Sequence, residues 1–248
     1  MSTTAEPVTG RIHSWDLSTG VDGPGTRFVL FLSGCPLRCL YCANPDTWHM
    51  RDGKPATVDE VMAEIEKYRP FITTAGGGVT LTGGEALLQP AFTAAVLRRC
   101  KELGLHTALD TSGFLGARAS DALLADTDLV LLDIKSFDAR TYRRLTGAAL
   151  APTTAFAARL DRLGVPVWIR YVLVPGWTDD PAAIDGLGGF LAGLGNVDRV
   201  DVLPFHKLGA HKYDALGIPF PLRDTPVPDP DLTERVRRQF REHGLRAQ

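Results

Sequence analysis

The chain has 248 residues, of which 44% are hydrophobic, and a formal net charge of −2 from 27 basic and 29 acidic side chains. That length suits a single α/β domain, and area scaling lets folding bury roughly 70% of the unfolded surface. The balanced charge offers no basic field for nucleic acid, and no apolar run approaches the roughly 20 residues of a membrane span.

The opening residues Met1–Val8 lack the basic-then-apolar layout of a secretory signal. Residues 1–9 read as a loose tail ahead of one domain spanning 10–248. Apolar runs then alternate with helical patterns, as in βαβ units. A first strand is expected over Arg27–Leu32. Thr57-Val58-Asp59-Glu60 offers a capping box, and Val58, Val61, Met62, Ile65 and Tyr68 form the apolar stripe of the helix it opens.

A second strand is expected over Gly78–Thr82, a helix over about Gln89–Leu103, a third strand over Leu105–Leu109 and a fourth over Asp128–Leu132. A helical stretch near Thr153–Leu163 leads to a fifth strand over Val165–Val174. Asp180-Pro181 reads as a cap and first turn, and a sixth strand follows over Val200–Leu203. Residues 204–230, rich in proline and glycine, read as irregular. Leu232, Val236 and Phe240 mark a last helix whose opposite face carries Arg235, Arg238, Arg241 and Glu242, a solvated surface. Periodicity alone fits either a partial barrel or a doubly wound open sheet.

Three of the four cysteines fall within eight residues, as Cys35-x3-Cys39-x2-Cys42. Gly34 and Pro36 suit a turning loop there. Thiolates this close can converge on one inorganic centre, and three ligands on a four-iron cluster leave one iron for a ligand that is not protein. A structural zinc site usually takes four protein ligands, and the fourth cysteine, Cys100, is remote and reads as a half-buried helix residue. Four cysteines in so long a chain do not make a disulfide-stapled scaffold, and their spacing fits a reducing compartment. A soluble cytoplasmic protein is the expectation.

Polar residues gather just after the apolar strands, on what would be one rim of a parallel barrel. Gly83-Gly84-Glu85 lets backbone approach a ligand, or is an ordinary strand-to-helix turn. Asp110, Asp133 and Lys135 could be an ion-pair network. Arg170 interrupts a strand expected to be apolar and so should face a polar lumen. His206 follows the sixth strand.

The spacing C-x3-C-x-aromatic-C, with Tyr41 as the aromatic, resembles the signature of radical S-adenosylmethionine (SAM) enzymes. Val21-Asp22-Gly23-Pro24-Gly25-Thr26-Arg27 and Cys42-Ala43-Asn44-Pro45-Asp46-Thr47-Trp48 resemble segments of the glycyl-radical-enzyme activases, and the likeness runs from about Gly10 to the C-terminus. The absence of a cysteine-rich insertion favours activases of the pyruvate formate-lyase type.

The resemblance implies a partial (β/α)6 barrel, open on one side. It implies a [4Fe-4S] cluster on Cys35, Cys39 and Cys42, with Tyr41 and Ala43 beside it and SAM as cosubstrate. One electron cleaves SAM to methionine and a 5′-deoxyadenosyl radical, which takes hydrogen from a glycine of a partner enzyme. The backbone of Gly83 and Gly84 would receive the SAM amino group, and Glu85 would organise the turn or add polar contacts. Lys135 would meet the SAM carboxylate, Arg170 that carboxylate or the ribose, and His206 the nucleoside.

A monovalent cation near the carboxylate is implied at Asp110, Thr111, Asp133 and the Leu131 carbonyl. Ala43 departs from the histidine frequent after the third cysteine. The implied partners are a glycyl radical enzyme of the pyruvate formate-lyase kind and a reduced flavodoxin or ferredoxin, met by a monomer. Asp22-Gly23-Pro24-Gly25 would form part of the entrance for the partner's loop. Activation of another glycyl radical enzyme, a non-catalytic electron-transfer protein and a zinc-binding module are the alternatives.

Overall fold

The structure, a computed structural model, describes residues 7–248. The tail expected over residues 1–9 lies outside the described residues up to residue 6. Beyond that the chain is engaged: the Val8 carbonyl accepts from Val58 N at 3.1 Å, and Thr9 opens the first strand.

That strand, β1 (Thr9–Thr19), pairs antiparallel with β2 (Thr26–Leu32) and with β3 (Lys54–Thr57). Neither β1 nor β3 is legible in the sequence. β1 is mostly exposed and shows no apolar alternation, so pairing and close approach hold it. Gly10 makes one such approach, since a Cβ there would lie 2.5 Å from the Phe92 ring.

Helix α1 (Val58–Thr74) starts at the expected capping box: Thr57 N donates to Glu60 Oε2 at 2.7 Å, and Glu60 N returns a bond to Thr57 Oγ1 at 3.2 Å. There follow β4 (Gly78–Gly83), α2 (Pro90–Glu102), β5 (His106–Thr111), α3 (Asp121–Ala125), β6 (Leu129–Asp133), α4 (Ala139–Thr146) and α5 (Ala151–Arg162). The chain ends with β7 (Val167–Leu173), α6 (Pro181–Ala192), β8 (Val197–Pro204), α7 (Ala210–Leu216) and α8 (Pro230–Glu242). Helix α7 corrects the irregular assignment of residues 204–230. Its Tyr213 is buried by packing against Phe220 and against Trp48, a distant partner that local composition does not reveal.

Strands β2, β4, β5, β6, β7 and β8 run parallel and adjacent in that order, with β1 and β3 extending the β2 side. The result is a six-stranded open βα barrel with an antiparallel flank, as the resemblance implies. Period 2 divides its faces. Leu81, Leu109, Leu132, Ile169 and Val200 point outward into the helix-covered core, all fully buried. Between them Thr82, Asp110, Asp133 and Arg170 point inward.

The floor of this lumen is made by Ala108, Leu129 and Leu131 with Trp168. Below lies Arg27, which is fully buried with no carboxylate in contact among the described residues. Its guanidinium donates to Thr80 Oγ1, the Val79 carbonyl and the His106 carbonyl at 3.0, 2.6 and 3.3 Å. Burial pushes it down to about 10, so it stays charged at neutral pH. At the far edge, residues 246–248 add backbone bonds to β8: Val200 N to the Arg246 carbonyl and Val202 N to the Gln248 carbonyl, at 2.8 and 2.9 Å.

Candidate active site

The loop after β2 is tied at both ends. Gly34 N donates to the Thr47 carbonyl at 2.6 Å and Cys35 N to the Trp48 carbonyl at 3.0 Å. Gly34 has φ +97°, a left-handed conformation that suits glycine at this turn. On the outer side, Arg38 N and Leu40 N donate to the Thr146 and Leu145 carbonyls at the end of α4, at 2.8 and 2.9 Å. The loop thus holds Cys35, Cys39 and Cys42 partly exposed, whereas Cys100 is fully buried on α2 with its sulfur 4.0 Å from that of Met62. Cys100 is therefore a core residue.

The three thiols line a cavity of about 430 Å³. Tyr41, Ala43, Gly83, Gly84, Asp110, Thr111, Asp133, Lys135, Arg170 and His206 share it, so most residues singled out from the sequence meet there. Burial pushes the Cys35 and Cys39 thiols up to about 12 and raises Cys42 as well. Without a metal these groups stay protonated at neutral pH, so loading a metal centre must expel their protons.

Glycine is required at the turn after β4. Gly83 has φ +118°, and a Cβ there would lie 2.2 Å from Leu32 N. A Cβ on Gly84 would lie 2.3 Å from the Gly34 carbonyl oxygen. The same carbonyl accepts from Glu85 N at 2.8 Å, which knits the turn to the cysteine loop.

Glu85 and Leu131 do not line the cavity. Glu85 is buried beneath the turn, and its carboxylate accepts from Thr111 Oγ1, Ser112 Oγ, Ser112 N and Leu87 N at 2.6, 2.5, 3.0 and 3.2 Å. It organises the turn, the first of the two roles considered for it. Replacing Glu85 with Ala strands those donors in a buried space. The expected loss is about 3 kcal/mol of stability. Urea unfolding of Glu85→Ala measures it, and a loss under about 1 kcal/mol would contradict this role.

Lys135 Nζ lies 2.9 Å from Asp133 Oδ2 and 5.7 Å from the centre of the Tyr41 ring. Burial alone would lower its pKa, but Asp133, Tyr41 and Cys39 outweigh it and hold it well above the ordinary value. Arg170 bridges Asp110 at 3.2 Å and Asp22 at 3.6 Å. Asp22 therefore brings the β1–β2 hairpin tip into the lumen, and its neighbour Val21 lines the cavity.

Asp110 accepts from Thr82 Oγ1 at 2.6 Å through Oδ2, while its Oδ1 is buried without a partner. Of the cation set implied by the resemblance, Asp110, Thr111 and Asp133 line the cavity together. The Thr111 hydroxyl donates to Glu85, and the Leu131 side chain packs into the floor, whereas the resemblance concerns its carbonyl. Among the described residues no three His, Cys, Asp or Glu side chains are grouped to hold a single metal ion.

The Asp110 carboxyl is pushed up to about 6, first by burial and then by Asp133, against the pull of Arg170. Its folded value thus exceeds the ordinary 3.8. The folded state holds the extra proton between about pH 4 and 6, and stability falls as pH rises through that window. The cluster-free Asp110→Asn variant should therefore gain roughly 3 kcal/mol on wild type between pH 4 and pH 7. Parallel urea-unfolding profiles of the two proteins would contradict the assignment.

Sequence reasoning missed a clasp above the cavity. Asp46 Oδ2 sits 3.1 Å from His13 Nε2 on β1 and 3.0 Å from Lys212 Nζ on α7. Lys212 also donates to Asn44 Oδ1 at 2.7 Å. Gly209 packs on Ala43, where a Cβ would lie 2.7 Å from the Ala43 carbonyl oxygen. The Lys212 contacts join segments more than 160 residues apart. Asn44 and Asp46 stood in the quoted motif, but nothing in the sequence pointed from them to Lys212.

Loop thiols facing a glycine turn across an open α/β barrel belong to the class of radical SAM enzymes, and the family described as Radical SAM superfamily matches residues 29–185. The chain is 45% identical over 239 residues to pyruvate formate-lyase 1-activating enzyme of Escherichia coli K12, covering 96% of this chain and 97% of that one. It is 43% identical to the pyruvate formate-lyase-activating enzyme of Clostridium pasteurianum, covering 95% and 98%. A solved domain of pyruvate-formate lyase-activating enzyme from Bacteroides vulgatus superposes with a TM-score of 0.59 at 26% identity, covering 70% of this chain and 98% of that one. The chain belongs to the radical SAM superfamily and, within it, to the pyruvate formate-lyase-activating enzymes.

The family's cofactors are a [4Fe-4S] cluster and SAM. The residues present fit them. Three loop thiols supply soft ligands, the glycine turn is a cradle that any Cβ would obstruct, and Asp110 Oδ1 is an acceptor without a donor.

Proposed function

We propose that the protein activates pyruvate formate-lyase by placing a radical on one of its backbone glycines. The observation that carries this reading is that three thiols, the glycine turn and Lys135 line one cavity. Cys35, Cys39 and Cys42 would hold the cluster. The cofactors supply reductive cleavage of SAM and the carbon radical that removes the glycine hydrogen.

The remaining work falls to side chains and backbone. Gly83 and Gly84 offer main chain to the SAM amino group, because no Cβ stands in the way. Lys135, held charged by Asp133, offers its ammonium to the SAM carboxylate. Arg170 and His206 line the same cavity, where Arg170 would meet that carboxylate or the ribose and His206 the nucleoside. Tyr41 and Ala43 flank the cysteine loop. A monovalent cation would lie at Asp110 and Asp133, where Oδ1 of Asp110 lacks a partner. The clasp of His13, Asp46 and Lys212 ties the segment after the cysteine loop to β1 and α7.

No helix of the described residues is long and apolar enough to cross a membrane. The reading places the protein in the cytoplasm as a monomer, supplied with electrons by reduced flavodoxin or ferredoxin. Anaerobically reconstituted protein, mixed with pyruvate formate-lyase, SAM and a reductant, should produce a glycyl radical signal in electron paramagnetic resonance. One 5′-deoxyadenosine should form per radical. SAM cleavage without that signal would move the target to another glycyl radical enzyme, and a reduced cluster unaffected by SAM would overturn the reading.

A further inference from the structure

The outer side of the cysteine loop meets a helix that carries positive charge and no acid. Helix α4 reads Ala-Arg-Thr-Tyr-Arg-Arg-Leu-Thr. Tyr142 and Leu145 are buried, and Arg140, Arg143 and Arg144 are exposed. Arg38 lies next to them, because its backbone N–H bonds the Thr146 carbonyl that ends the helix. Its guanidinium donates to the carbonyls of Cys35 and Leu37 at 2.7 and 2.8 Å and lies 5.0 Å from the centre of the Trp48 ring. Arg144 lies 4.7 Å from the centre of the Trp177 ring.

Among the described residues none of these four arginines has a carboxylate within 4.0 Å; others, such as Arg69, Arg118 and Arg238, also lack one, but these four are grouped on one acid-free helix and the cysteine loop beside it. The nearest acid in sequence, Asp138, caps the helix by accepting from Thr141 N at 2.8 Å. The helix dipole accounts for cations in the last turn, where Arg143 and Arg144 sit. It does not account for Arg140 in the first turn, nor for Arg38 on another segment. Four unneutralised guanidinium groups in a chain of net charge −2 are a local excess.

We infer that this face docks an acidic one-electron carrier protein. The inference rests on the function proposed above, which needs one electron per SAM cleaved; the carrier is oxidised by one electron as it supplies it. The partner's glycine has to reach the cavity, so the carrier needs a separate approach to the cysteine loop. The exposed Pro36 and Arg38 provide one on the side away from the cavity. An acidic rim on the carrier would find charge complementarity there without displacing any internal ion pair. Arg38 is held by the loop, so its guanidinium is pre-ordered, while Arg143 and Arg144 add the steering charge.

The test is charge reversal at two exposed positions that touch neither thiols nor cavity. The double variant Arg143→Glu, Arg144→Glu is compared with wild type, using flavodoxin in its hydroquinone state as the probe. Flavodoxin binding to each protein, followed across a salt series, should weaken about tenfold or more, with a shallower dependence on ionic strength. The KM for flavodoxin in SAM cleavage should rise correspondingly. With dithionite as reductant, both proteins should cleave SAM and form the glycyl radical at the same rate.

Unchanged flavodoxin binding in the variant would overturn the docking face. So would an equal loss with dithionite, which would make the arginines structural. Failure of wild type to form a glycyl radical even with dithionite would instead strike the function itself. Arg235→Glu, Arg238→Glu on α8, a basic face away from the loop, should leave flavodoxin binding unchanged; an equal weakening there would overturn the assignment to α4.

Discussion

The Cys39→Ala variant will fold but remain colourless, and it will cleave no SAM above background. Cys39 contributes its carbonyl to the loop, accepting from Cys42 N at 3.1 Å, and alanine keeps that bond. The loop also retains its two backbone ties to the end of α4. What disappears is one of the three thiols proposed to hold the cluster, and a four-iron centre held by the remaining two would be open to loss. Since the protein's own groups only position and shield SAM, activity falls to the uncatalysed level, on the order of a millionfold.

Cys100→Ala is the matching control. Its thiol is fully buried in the α1–α2 core, so alanine should cost about 1–2 kcal/mol of stability while iron content and SAM cleavage remain. Iron and sulfide assays with chromatography of 5′-deoxyadenosine decide both cases. SAM cleavage at the normal rate by Cys39→Ala would remove that residue from the ligand set.

Gly84→Ala is the second large effect, and it separates cofactor retention from SAM binding. The added methyl would meet the Gly34 carbonyl oxygen at 2.3 Å and the Thr47 carbonyl oxygen at 3.0 Å, both parts of the backbone. Neither can rotate away. The turn must lift from the cysteine loop, weakening the bond from Glu85 N to Gly34 and moving the backbone proposed to receive SAM. Overpacking of this kind costs about 1–3 kcal/mol, which corresponds to roughly a tenfold to hundredfold loss of SAM affinity if it falls on the bound state. The three thiols are not altered, so iron content should remain near that of wild type. Equilibrium binding of SAM to the reconstituted variant measures the loss, and unchanged affinity would show that the turn does not form the cradle.

The six parallel strands were legible because their outward-facing residues had to be apolar to pack under helices, leaving runs such as Val79–Leu81 and Leu129–Leu132 bounded by polar residues. The site was legible for a related reason. In a parallel barrel the ends of successive strands share a rim, so Cys35, Gly83, Asp110 and Asp133 could be grouped before their separations were known. The antiparallel flank was illegible because β1 buries little of itself: its order comes from β2, β3 and Phe92. The clasp was illegible for a different reason. A histidine on β1, an aspartate after the cysteine loop and a lysine on α7 have no common spacing, and only the folded chain brings them together. Glu85 stood in the right motif, yet its carboxylate turns down to the hydroxyls of Thr111 and Ser112, a direction that sequence adjacency does not encode.

The plug beneath the lumen also governs traffic. Arg27 and the inserted hairpin tip at Asp22 close the narrow end, so SAM and its fragments would enter and leave by the opposite side. A partner loop lying over that side is a stopper. Turnover would then be ordered, with SAM bound before the protein substrate and its fragments released after the partner withdraws.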